Sequence, residues 1–123
     1  MSKINVKPLE TLTLEFQDGK TWQAKFSAYA MMILDDEFDG FKSLFESAKE
    51  KPFSCGAKLL YAGMKACDED ITLDICKKII TNMSVENIIE VFNFAAKTFG
   101  VSDELKKTAI YGMNRETRRS LEK

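Results

Sequence analysis

The chain has 123 residues, 45% of them hydrophobic, with 18 lysines and arginines against 19 aspartates and glutamates, for a net charge of -1. That is enough length and apolar content for one buried core without disulfides or metal, and the even charge gives no general attraction to nucleic acid or to an anionic membrane. Histidine is absent, which removes the commonest general base and the commonest transition-metal ligand and weighs against an enzyme.

The opening Met-Ser-Lys-Ile-Asn lacks the apolar core of a signal peptide. The three cysteines, Cys55, Cys67 and Cys76, form an odd set without a C-x-x-C pair, as expected of a protein kept in a reducing compartment. The longest uncharged apolar stretch, Phe26 to Leu34, is too short to cross a bilayer. A soluble single domain over residues 1–123 is expected, with no repeat or linker to divide it.

Residues 10–26 read as a β-hairpin. Leu12, Leu14 and Phe16 alternate with polar residues, and so do Trp22, Ala24 and Phe26. A two-residue turn at Asp18-Gly19 would place the two apolar rows on opposite faces. A three-residue Gln17-Asp18-Gly19 loop instead pairs Phe16 with Lys20, Leu14 with Trp22 and Leu12 with Ala24, and asks for a left-handed Gly19.

From Ser27 the apolar period becomes helical, with Ala30, Leu34, Phe38, Phe41, Phe45 and Ala48 on one stripe over about 28–50. Gly40 interrupts that stripe, giving one kinked helix or two short ones. Ser54 is a candidate cap for a helix over 54–67 with Ala57, Leu60, Tyr61, Met64 and Cys67 inward. Thr72 caps a helix over 72–83 with Ile75, Cys76, Ile79, Ile80 and Met83 inward.

The clearest helix is 84–99, capped by Ser84, striped by Val85, Ile88, Ile89, Phe92, Ala95, Ala96 and Phe99, and stopped by Gly100. A last helix over 103–113 carries Leu105, Ala109 and Met113, and the polar residues 114–123 read as a frayed tail. The fold expected is mainly α with a short N-terminal β-hairpin, an α+β compact bundle of about five helices.

Several residue patterns bear on chemistry. Asp35, Glu37, Asp39, Gly40 and Glu46 match positions 1, 3, 5, 6 and 12 of an EF-hand calcium loop. Glu37 is longer than the usual Asp or Asn, Lys42 sits where an apolar residue is usual, and no second hand follows. Phe38, Phe41 and Phe45 also lie on a helical stripe that a calcium loop would interrupt, so an acidic helix junction is the favoured reading and calcium the alternative.

The cysteines fit no zinc spacing and read as packing residues, with a helix-terminus thiolate at Cys55 the minor alternative. No nucleophile elbow, S-x-x-K motif or glycine-rich phosphate loop is present, so no catalytic residue and no cofactor is assigned. Arg115, Arg118 and Arg119 are interrupted by Glu116 and read as a solvated tail, not a nucleic-acid grip. The nine phenylalanines and six methionines serve core packing, and also have the chemistry of an adaptable groove for a partner helix.

In order and size, the hairpin Leu12-Thr-Leu-Glu-Phe-Gln-Asp-Gly-Lys-Thr-Trp22, the helix Ser27 to Phe38, the segment Ser54 to Asp70 with Leu60, Tyr61 and Met64, and the helix Ile88 to Phe99 resemble the tail assembly chaperones of long-tailed bacteriophages and prophages. The likeness spans nearly the whole chain. It implies a non-enzymatic protein of virion morphogenesis, made in the host cytoplasm and absent from the mature virion, that binds the tape measure protein and helps recruit tail tube protein. Neither nucleic acid nor membrane is expected as a partner, on the charge balance and the shortness of the apolar stretches, and members of the family are often made in a longer frameshifted form as well. A small head-tail connector or regulatory protein of a prophage is the alternative of the same origin. Self-association and the partner-binding residues are left open by the sequence.

Overall fold

The computed structural model describes the backbone of residues 2–121 and the side chains through Arg115. It contains a two-stranded sheet and six helices, in the order β1 Leu12–Glu15, β2 Thr21–Ala24, α1 Ala28–Phe38, α2 Phe41–Ser47, α3 Pro52–Lys65, α4 Leu73–Thr81, α5 Val85–Phe99 and α6 Asp103–Leu121. The fold is α+β, a helical bundle with an N-terminal hairpin.

The hairpin has the register expected of a three-residue loop. Leu12 pairs with Ala24 and Leu14 with Trp22, and the Phe16 amide donates to the Lys20 carbonyl at 2.9 Å. Gly19 takes φ +91, and the Asp18 carboxylate accepts from the Lys20 amide at 3.0 Å, fastening the turn. All the apolar side chains therefore share one face, with Ala24 buried and Leu12, Leu14, Phe16 and Trp22 half-buried.

Ser27 caps α1, its hydroxyl accepting from the Ala30 amide at 3.4 Å. The long stripe breaks into α1 and α2 at Asp39 and Gly40, with φ of 64 and 92. The Asp39 amide donates back to the Leu34 carbonyl, the six-to-one bond that closes a helix end, and the Gly40 amide donates to the same carbonyl at 2.8 Å. This break is why six helices are present where about five were expected.

Helix α3 begins at Pro52, with Lys51 as its cap residue, so Ser54 is inside the helix and exposed. Proline suits that start because its fixed φ is already helical and its missing amide has no intrahelical partner to lose. The helix ends at Lys65, which leaves Cys67, expected on the inward stripe, exposed beyond it. Burial along α3 is also wider than a stripe: Cys55, Gly56, Ala57, Leu59, Leu60, Tyr61, Ala62, Gly63 and Met64 are all buried. The cause is central placement, since α3 packs on every other helix and on β2.

Small residues allow that crowding. A Cβ on Gly63 would lie 2.6 Å from Cε1 of Phe26, and the Gly63 carbonyl accepts from the Lys25 amide at 2.9 Å, tying the hairpin to α3. Edge-to-face ring pairs join the layers, Phe45 with Phe92 at 5.3 Å and Phe26 with Phe99 at 5.6 Å.

Thr72 and Ser84 cap α4 and α5 as expected, accepting from the amides of Ile75 at 3.3 Å and Asn87 at 3.1 Å. Gly100, at φ +73, ends α5. Helix α6 does not stop at residue 113 but continues to Leu121. Ala109 and Met113 are buried, and Arg115 donates to the Lys49 carbonyl at 2.9 Å and to the Glu50 carboxylate at 3.2 Å. With no proline or glycine after Gly112, good helix formers carry the helix past its docked part. Residues 122–123 of the expected frayed tail lie outside the described residues.

Candidate binding surface

The hairpin covers the bundle incompletely. At its turn end, Phe16 and Trp22 overhang α4, whose partly exposed Ile75 and nearly buried Ile79 face them. A groove of about 530 Å³ runs between, lined by these four apolar residues together with Gln17, Asp18, Lys20, Lys78 and Asn82. Its floor is apolar and the polar side chains around it carry both signs of charge. On the other side of β1 a second groove, of about 520 Å³, is bounded by Leu12 to Gln17 and by Asn82, Met83, Asn87, Glu90 and Val91.

The EF-hand pattern falls on a helix junction. Asp35 and Glu37 lie within α1, Asp39 follows its last residue, Gly40 makes the sharp turn and Glu46 lies in α2. Positions two apart on a helix point to different sides, so Asp35 and Glu37 do not converge. Glu37 instead accepts from the Tyr61 hydroxyl at 3.3 Å, and Lys65 donates to the same hydroxyl at 3.0 Å. That last hydrogen bond is the main reason the Lys65 ammonium titrates above its ordinary range. Among the described residues, no three His, Cys, Asp or Glu side chains are grouped to hold a metal ion.

Burial pushes the Cys55 thiol up, against the opposing pull of Lys58 and Lys51, which is the reverse of what a helix-terminus thiolate requires. Burial also pushes Cys76 up to about 12. Cys67 is raised too, by desolvation, against the pull of Lys25. Arg115 is a structural contact of α6, and the side chains of Arg118 and Arg119 lie outside the described residues.

The phenylalanines and methionines divide between the two roles read from composition. Phe26, Phe45, Phe92, Met64 and Met113 are fully buried, while Phe16 faces the first groove and Met83 the second. The sequence marked Phe16, Trp22, Ile75 and Ile79 as inward-facing without showing that the hairpin leaves Phe16, Trp22 and Ile75 partly uncovered. The available signal was the position of Phe16 and Trp22 beside the turn, where a two-stranded sheet has least support.

Among the described residues, no helix is long and apolar enough to cross a membrane. Comparison of the chain with protein-family models, with curated proteins and with solved structures finds no match.

Proposed function

We propose that this chain is a tail assembly chaperone of a long-tailed phage or prophage, which binds helical segments of the tape measure protein and helps recruit tail tube subunits. The observation that carries the reading is the groove between the hairpin and α4, where Phe16, Trp22, Ile75 and Ile79 offer an apolar floor to a partner. The order of elements, a short hairpin followed by a helical bundle, agrees with the resemblance in the sequence.

The physical need is plain. A long tape measure chain presents apolar helical stripes before the tube polymerises around it, and uncovered stripes aggregate. An amphipathic helix laid in the groove buries its apolar face against the floor and meets Asp18, Lys20 and Lys78 at its flanks. On this reading the chain acts by binding, without catalysis, in the host cytoplasm and is not incorporated into the mature virion.

The test is co-expression with the tape measure protein of the same genome. The chaperone reading predicts that the tape measure protein becomes soluble and co-purifies with this chain. Insoluble tape measure protein at matched expression contradicts it, and recovery of this chain from purified particles favours a connector instead.

A further inference from the structure

Among the described residues, no strand pairs with the second edge of β1. Its inner edge pairs with β2, and β2 in turn lies against α3. The Phe16 to Lys20 bond fixes the alternation of the ladder, so that Leu14 and Leu12 point their backbone groups toward β2 while Thr13 and Glu15 point theirs outward. An exposed row of this kind is a template for another strand. The groove beside it has Met83 and Val91 on its far wall, and its charged side chains, Glu15 and Glu90, are both acidic.

The complementary element is in the same sequence. Residues 2–11 form no regular structure and are exposed throughout. Within them Lys3-Ile4-Asn5-Val6-Lys7 alternates at the period of a strand, and Ile4 and Val6 are 88% and 84% exposed, the most exposed large apolar residues described. Laid along β1, this segment turns Ile4 and Val6 toward the half-buried Met83. It then sets Lys3 and Lys7 on the outer face beside Glu15, where opposite charges on neighbouring strands attract. Pro8 has no amide to donate and ends the strand.

We propose that residues 3–7 of a second copy of this chain add as a third strand to the free edge of β1, so that mutual exchange of arms closes a dimer. The arm stands clear of its own β1 in the single chain, leaving that edge for the partner's arm. A third strand also relieves the weakness of a two-stranded sheet.

Sedimentation velocity of the full chain, from micromolar to sub-millimolar concentration and without the tape measure protein, reads this directly and separately from the chaperone activity. A concentration-dependent dimer is expected. The double substitution Ile4→Asp and Val6→Asp, in a segment outside the core, should raise its Kd by about 100-fold or more. Lys3→Glu with Lys7→Glu should weaken the dimer, and adding Glu15→Lys should restore it, a rescue that generic loss of structure does not produce. A monomer at every concentration overturns the proposal, as does a dimer indifferent to Ile4→Asp and Val6→Asp. Hydrogen exchange showing the arm protected in a monomer overturns it as well, since the arm would then be pairing within its own chain.

Discussion

Replacing Gly112 by alanine sets two effects of opposite sign against each other. Alanine is the better helix former by about 1 kcal/mol, so an α6 exposed all round would gain stability. In this fold Gly112 is buried where α6 crosses the turn after α2, and an added Cβ would run into the Ala48 carbonyl oxygen and lie 2.8 Å from both the Cα and the carbonyl oxygen of Lys49. That is about 1 Å inside ordinary carbon contact. The obstacle is backbone, which cannot rotate aside, so the overpacking cost belongs at the upper end of about 1–3 kcal/mol.

The net expectation is a loss of about 1–2 kcal/mol, or a Tm lower by roughly 3–10 °C for a domain of this size. Urea unfolding followed by Trp22 fluorescence and by circular dichroism measures it. Gly100→Ala is the control: its left-handed φ of +73 penalises alanine with nothing within 4 Å of the new Cβ, so it reports backbone strain alone. A Gly112→Ala protein more stable than the wild type would refute the docking of α6 on the α2–α3 turn.

Four further outcomes follow from the packing and the thiols. Gly63→Ala should cost about 1–3 kcal/mol in the same urea assay, because its Cβ would press on the buried Phe26 ring. Asp39→Gly should raise stability by up to about 1 kcal/mol, because Asp39 holds a left-handed φ of 64 that glycine adopts without strain. A thiol reagent should label Cys67 quickly and Cys55 and Cys76 only on unfolding. Cys76 is raised from 9.0 to about 12 in the fold, so its contribution to stability is intact below pH 9 and is lost as pH climbs toward 12. The slope in that window is about 1.4 kcal/mol per pH unit. Cys76→Ala, compared with wild type at matched pH, should lack that component of the alkaline decline.

Local rules made some elements legible in the sequence. The hairpin register followed from counting, since one of the two loop lengths put all the apolar residues on one face. Helix α5 was bounded by a capping serine and a terminal glycine, both chemical signals confined to neighbouring residues. What escaped depended on distant contacts. The all-round burial of α3 arises because it is the axis of the bundle, and no stripe records that. The start at Pro52 competed with a good capping serine two residues later, and the proline prevailed. The docking of α6 through Arg115 onto Lys49 and Glu50 joins residues 66 and 65 apart in sequence, which no local pattern records.

The candidate site was legible only as chemistry. Phe16, Trp22, Ile75 and Ile79 could be assigned to inward faces. The partial exposure of Phe16, Trp22 and Ile75 comes from where the short hairpin ends beside α4, a property of the packed whole. The calcium pattern shows the converse, since correct spacing along the chain lost its meaning once α1 stayed helical through Phe38.

The most direct test of the binding groove is a co-purification of the tape measure protein with wild type and with Phe16→Ala, Trp22→Ala and Ile75→Asp variants whose circular dichroism remains native. Specific docking in the groove predicts that wild type retains the tape measure protein and that the variants lose it, aromatic truncation at such a site costing about 2 kcal/mol or more. Undiminished capture by all three folded variants would contradict the groove as the docking site.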